Sequence, residues 1–239
     1  MSDKVTVLVA GSWGTALASV LAANHSEVYL WTRNAEQAAE INESHTNAQY
    51  LPGIILPSNL VATTDMAFAI ADSKAVVIVA PSSGMRQVAH SLKPHWKEDM
   101  LCIHATKGFE TETMKRMSTV ISEELGITEE NIVVLSGPSH AEEVVRHCPT
   151  TVVVASPNDK AAAAAQELFI NNDFRVYTNR DLIGVELAGA LKNIIALGAG
   201  LSDGLGFGDN AKAALLTRGL AEISRVGVEM GANPLTFSG

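Results

Sequence analysis

The turn after the first apolar run reads Val9-Ala10-Gly11-Ser12-Trp13-Gly14. A dinucleotide fingerprint, G-x-G-x-x-G, lies where a strand ends and a helix begins, and each glycine has its own task. Gly11 fills the second position, where backbone must approach a pyrophosphate. Gly14 fills the third, where helix packs on strand. Val9 stands in the first, so a Cβ occupies a tight turn that favours none. The pyrophosphate of such a cofactor rests on the free N–H groups of the helix start. A plain packing turn with two glycines has the same letters.

Past the next strand the chain reads Leu30-Trp31-Thr32-Arg33-Asn34. An NAD enzyme usually carries an acid here for the ribose 2′-hydroxyl. Arg33 suits a 2′-phosphate instead, which predicts NADP(H) as the preferred cofactor with NAD(H) also accepted. A surface arginine is the bland alternative.

Three further positions suit anion and proton chemistry. In Ser136-Gly137-Pro138-Ser139-His140-Ala141-Glu142, Ser139 and Glu142 fit an S-x-x-E capping box, and Gly137 lets backbone come close. Lys107 ends a strand in His104-Ala105-Thr106-Lys107-Gly108. Lys192 lies in a helical stretch where its neighbours one turn away are Ala188, Gly189, Ile195 and Ala196, none of them acidic. That pattern predicts a lysine in a small-residue apolar groove, with the lowered pKa of a desolvated amine. Taken singly, these are a capped helix and two surface lysines; together they fall at strand ends and helix starts, where ligands bind in wound sheets.

Apolar runs at 5–10, 28–31, 75–80, 100–104, 132–135, 151–155 and 174–177 alternate with helical patterns at 15–23, 35–43, 84–92, 113–124, 141–145 and 160–169. Alternation of this kind predicts βαβ units in a doubly wound, mostly parallel sheet. After Asp181, a plausible helix N-cap, the pattern is helical throughout. We place a boundary there: 1–180 as a Rossmann-like dinucleotide-binding domain and 181–239 as the first part of an all-α domain. The helical part is short and reads as unfinished.

The chain has 239 residues, 47 % hydrophobic and 18 % charged, a balance that excludes disorder. Its net charge is −9 with no Lys/Arg cluster, which argues against a nucleic-acid partner. No uninterrupted apolar run reaches about 18 residues, so no membrane span is expected. Asp3 and an early glycine-rich turn argue against a secretory signal. Cys102 and Cys148, far apart, read as reduced thiols of a cytosolic protein. No metal site is called for.

The segments GSWGTALA, HATKGFE, SGPSHAEEV and ELAGALKNIIALGAGLSDGLGFGDNAKAALLTRGLAE resemble the bacterial-type NAD(P)-dependent sn-glycerol-3-phosphate dehydrogenases. The resemblance covers essentially the whole chain, and the long helical segment is its most specific part. It implies an oxidoreductase that interconverts glycerol 3-phosphate and dihydroxyacetone phosphate, feeds phospholipid synthesis in the cytoplasm, and allows a homodimer. By the same resemblance Ser12, Trp13, Arg33, Tyr50 and Ala141 bind cofactor, and Lys107 lies near both cofactor and substrate. Gly137 and Ser139 bind substrate, and Lys192 is the proton donor and acceptor. The family pattern continues beyond residue 239 with an Asp and a Ser-Arg-Asn triplet that hold substrate phosphate and cofactor. The expectation is therefore cofactor binding with poor turnover by these 239 residues alone. The residues by themselves also fit a related hydroxyacid dehydrogenase, a non-catalytic NADP-binding or redox-sensing module, or a purely structural Rossmann-like module.

Overall fold

In the computed structural model, residues 4–25 and 27–238 are described; Asp3, weighed above against a signal sequence, lies outside them. Eight strands form one sheet: β1 (Val5–Leu8), β2 (Val28–Trp31), β3 (Leu60–Thr63), β4 (Ala75–Ile78), β5 (Leu101–His104), β6 (Ile132–Ser136), β7 (Thr150–Ala155) and β8 (Phe174–Asn179). Their spatial order is β3-β2-β1-β4-β5-β6-β7-β8. Val5 of β1 registers with Val28 on one side and Ala75 on the other, so the winding reverses at β1 and β4. All pairs are parallel except β6 with β7. β1, β4 and β6 are buried along their whole length, which is why they read as unbroken apolar runs.

Helices cover both faces. On one lie α1 (Ser12–Asn24), α6 (Ala141–Val144) and α7 (Asp159–Phe169), which contribute Leu17, Leu21, Val144, Ala165 and Phe169 to the larger core. On the other lie α4 (Met85–Leu92) and α5 (Met117–Leu125), with Met85, Leu92, Val120 and Ile121. α2 (Ala35–Ser44) and α3 (Met66–Ile70) flank β3. β8 ends at Asn179, and α8 (Leu182–Gly204) and α9 (Gly208–Glu229) then pack on one another. Asp181 caps α8: its Oδ1 accepts from Gly184 N at 2.9 Å, and its Oδ2 accepts from Asn233 N at 2.9 Å and the Thr236 hydroxyl at 2.7 Å.

Three expectations are corrected. β3 and α3 went unforeseen, because four edge residues and one helical turn carry too little periodicity. The helix expected over 113–124 begins only at Met117; Phe109 bridges Arg116 in antiparallel fashion and Met114 turns left-handed at φ 57°. α8 also departs from the expectation that no segment is apolar enough to span a membrane. It has 23 residues and an 18-residue window of mean hydropathy 1.6, long and apolar enough to cross a membrane by length and composition. Here its first half is docked on the sheet, with Leu182, Val185 and Leu187 buried.

Candidate active site

β1 stops at Leu8 rather than at residue 10 because Val9 adopts φ 83°. A β-branched residue there is strained. It keeps its place because Val9 N donates to Trp31 O at 2.9 Å and the next carbonyl is clamped from behind. Ala10 O accepts from Gln37 Nε2 at 2.7 Å and from Asn47 Nδ2 at 3.1 Å. Asn47 also donates to the Thr15 hydroxyl at 2.8 Å, and the Thr32 hydroxyl donates to Gln37 at 2.5 Å. These side chains are buried, so the turn rests on a neutral polar network.

The two glycines differ. A Cβ on Gly14 would stand 2.0 Å from Val9 O, a separation that only glycine permits. A Cβ on Gly11 would meet nothing within 4 Å, so open space lies before it. Gly11 is the N-cap of α1 and no side chain caps the helix. The N–H groups of Ser12, Trp13 and Gly14 therefore lack intrahelical partners and favour an anion.

A cleft of about 1060 Å³ opens along this edge. Gly11, Ser12, Trp13, Gly14, Arg33, Tyr50, Lys107 and Ser139 all line it. Arg33 is exposed just before Asn34, the N-cap of α2, and has no ion pair among the described residues. The Ser12 hydroxyl donates to Tyr50 O at 3.0 Å, which ties the loop bearing Tyr50 to the start of α1. The Trp13 indole nitrogen is buried without a hydrogen-bond partner among the described residues. Pro81, Ser82, Ser83 and Gly84, after β4, line the cleft too. They were not singled out in the sequence, although their signal was available: a turn at the carboxyl end of a buried strand.

The remaining expected site residues, Ala141 for the cofactor and Gly137, Ser139 and the lysines for the substrate, fare unevenly. Ala141 is buried in the core beside α1 and does not line the cleft. The capping box is absent: α6 starts at Ala141, His140 is its N-cap, and the Ser139 hydroxyl instead donates to Gly137 O at 3.4 Å. Gly137, at φ 155°, crosses β7 so closely that a Cβ would lie 3.0 Å from Thr151 O. Its carbonyl accepts from Lys107 Nζ at 3.3 Å.

Lys192 is exposed, which corrects the expectation of a desolvated amine in an apolar groove. The small residues beside it serve helix docking: a Cβ on Gly189 would lie 2.7 Å from Ser136 Oγ and 3.7 Å from Lys107 Cγ. The perturbed amine is Lys107. Burial, and then the Lys192 ammonium beside it, bring its pKa down to about 8.

These features suit a nicotinamide dinucleotide. An uncapped helix start and open space before Gly11 fit the pyrophosphate, an unpaired arginine fits the ribose end, and paired amines lie farther along. Fold and cleft together define the class: a nicotinamide-dependent oxidoreductase with a doubly wound nucleotide domain. Comparison with known proteins narrows it. Residues 4–162 match the N-terminal part of the NAD-dependent glycerol-3-phosphate dehydrogenases, and residues 181–239 match their C-terminal part. A glycerol-3-phosphate dehydrogenase of the NAD(P)+ type from Enterococcus faecalis is 59 % identical over 240 residues, covering 100 % of this chain and 71 % of that protein. The Lysinibacillus sphaericus enzyme of the same name is 55 % identical, covering 99 % of this chain and 70 % of its own length. The crystal structure of glycerol-3-phosphate dehydrogenase from Coxiella burnetii superposes with a TM-score of 0.92 at 38 % identity, covering 100 % of this chain and 72 % of that one. The chain belongs to the NAD-dependent glycerol-3-phosphate dehydrogenase family, and spans about 70 % of the length of these relatives.

Proposed function

We propose that this protein interconverts sn-glycerol 3-phosphate and dihydroxyacetone phosphate with NADP(H), NAD(H) serving less well, and so supplies glycerol 3-phosphate for phospholipid synthesis in the cytoplasm. The observation that carries the reading is the Lys107–Lys192 pair beside a dinucleotide cleft. Residues 1–180 hold the cofactor, and residues 181–239 bring the helix that carries Lys192.

A bound nicotinamide supplies the hydride in reduction and accepts it in oxidation. The start of α1 at Gly11, Ser12, Trp13 and Gly14 holds the pyrophosphate, with Tyr50 beside it. Arg33 pairs with the 2′-phosphate. Ala141 acts from behind, by packing against α1. Gly137 and Ser139 form the substrate wall.

As the ketone is reduced, negative charge develops on its C2 oxygen. Lys107, anchored on the Gly137 carbonyl, faces that charge and stabilises it. Lys192 gives the oxygen a proton and becomes a neutral amine; in the reverse direction it takes the hydroxyl proton. Its exposure lets solvent restore the proton after each turnover. A second reading makes Lys107 the donor, since its pKa of about 8 is the one moved toward neutrality.

A homodimer is the proposed assembly. Exposed Leu197, Leu201, Leu216 and Leu220 on α8 and α9 support it, and the mass in solution tests it. The activity is tested by NADPH oxidation on adding dihydroxyacetone phosphate, with glycerol 3-phosphate assayed as product. Product formation supports the enzyme; NADPH binding without any product favours a binding module instead.

A further inference from the structure

The first turns of α8 carry a carboxylate for which the proposed chemistry has no use. The Glu186 side chain is 5 % exposed. Its Oε1 accepts from Ser118 N at 2.8 Å and lies 3.2 Å from His104 Nε2, off the line of a hydrogen bond. Its Oε2 accepts from the Ser118 hydroxyl and from Arg116 Nη1, each at 2.6 Å. Arg116 turns its other nitrogen to Glu129, at 2.8 and 3.1 Å, and the Thr119 hydroxyl donates to Glu129 at 2.6 Å. Burial by itself would raise the pKa of Glu186. The contacts with His104, Arg116 and Ser118 outweigh it and hold the group ionised, at about 2.

A buried ion cluster is a poor way to gain stability, because apolar packing does as well without the desolvation cost. What it gives is geometry: short, directional contacts that accept one placement. This cluster joins three elements. His104 ends β5, three residues before Lys107. Arg116 and Ser118 stand at the start of α5. Glu186 lies six residues before Lys192 on α8, about 9 Å along the helix. Between them Gly189 lets α8 pass over Ser136 and the stem of Lys107. A small rotation of α8 about this crossing would carry the Lys192 ammonium away from Lys107.

We infer that Glu186, gripped by Arg116 and Ser118 and lying against His104, is a positioning residue that fixes α8 on the start of α5, beside the end of β5, so that Lys192 stands beside Lys107. Glu186 acts through the lysines and touches no substrate. What the lysine pair does rests on the proposed function; how it is placed does not.

The test reads the pair without needing turnover. Acylation of Lys107 is followed across pH by mass spectrometry, in the full chain. Burial and then the Lys192 ammonium on α8 lower its midpoint, while the Gly137 carbonyl after β6 accepts a hydrogen bond from the amine. The midpoint expected for the wild type is about 8. Lys192→Ala removes the neighbouring charge and moves the midpoint up towards the ordinary lysine value. Glu186→Asp keeps the negative charge but is one methylene too short to hold all its partners, so it too moves the midpoint up. Combined with Lys192→Ala it moves it no further. In turnover, Glu186→Asp lowers kcat about 10- to 100-fold with little change in NADPH affinity, and costs almost nothing more in the Lys192→Ala background. A midpoint unchanged in Glu186→Asp, with only the melting temperature lowered, would overturn the inference and leave Glu186 a structural residue. If Glu186→Asp fails to fold, Arg116→Lys keeps the charge but cannot bridge two carboxylates, and carries the same expectations. Absence of dihydroxyacetone phosphate reduction in the wild type would sink the proposed function while leaving the amine titration readable.

Discussion

The cleft is positive at both ends, but for different physical reasons. At the β1–α1 turn the charge is partial and belongs to backbone: three N–H groups of an uncapped helix, on a turn braced by the neutral amides of Gln37 and Asn47. At the other end it is carried by whole ammonium groups on β5's exit loop and on α8, brought together by ions buried beneath them. Backbone dipoles stay put and cannot change protonation, which suits holding a pyrophosphate. Ammonium groups crowd one another and shift in pKa, which suits moving a proton.

The largest effect is expected at the lysine end. Lys192→Ala lowers the rate of dihydroxyacetone phosphate reduction by ~10²–10⁴-fold, the usual share of a positioned acid–base group, and leaves NADPH affinity nearly unchanged. Lys192→Arg does not restore it, since a guanidinium stays protonated throughout. A mutant of unaltered melting temperature that keeps more than about a third of the rate would shift the proton chemistry to Lys107. Next in size is Arg33→Ala, which weakens NADPH by about 1.5–3 kcal/mol while NADH changes little. Fluorescence titration with both cofactors checks it, and equal losses would remove Arg33 from the 2′-phosphate.

Two smaller effects sharpen the contrast through stability. Val9→Gly relieves a left-handed β-branched residue and stabilises the fold by about 1 kcal/mol, with tighter binding of both cofactors. A loss of binding in a folded protein would mean that the turn relies on the valine. At the lysine end the effect on stability depends on pH. Lys107 has a folded pKa near 8, below its unfolded value, so the unfolded chain holds its proton more firmly. Stability therefore rises with pH from about 8 up to the ordinary lysine range, and the shift is a cost at neutral pH. Allowing for its partial exposure, Lys107→Met stabilises the fold by about 1 kcal/mol at pH 7 and flattens that rise. Denaturant melts at several pH values measure both.

What could be read from the letters follows the same division. The turn from Val9 to Gly14, the place of Arg33 and the cap at Asp181 each show in a few neighbouring letters, although distant residues such as Gln37 and Asn47 brace the turn. The lysine end depends on how α8 docks. The spacing around Lys192 correctly shows small neighbours, but their purpose is close passage over Ser136 and Lys107, and that cannot be known without the crossing partner. The Ser139–Glu142 box failed by one residue of helix start, which periodicity does not resolve. Glu186 was visible as an acid inside an apolar helical stretch, yet nothing local says that Arg116 and Ser118 meet it. β3, a four-residue edge strand, left too short a pattern to find.

The claim that the two ends hold separate tasks is tested most directly by joining Arg33→Ala to Lys192→Ala in one chain. NADPH affinity and the rate of a single turnover at saturating NADPH are measured for both single variants and the double. Affinity in the double should match Arg33→Ala alone, and its rate should match Lys192→Ala alone, with the free energies adding to within about 0.5 kcal/mol. A coupling above about 1 kcal/mol in either quantity would contradict the account.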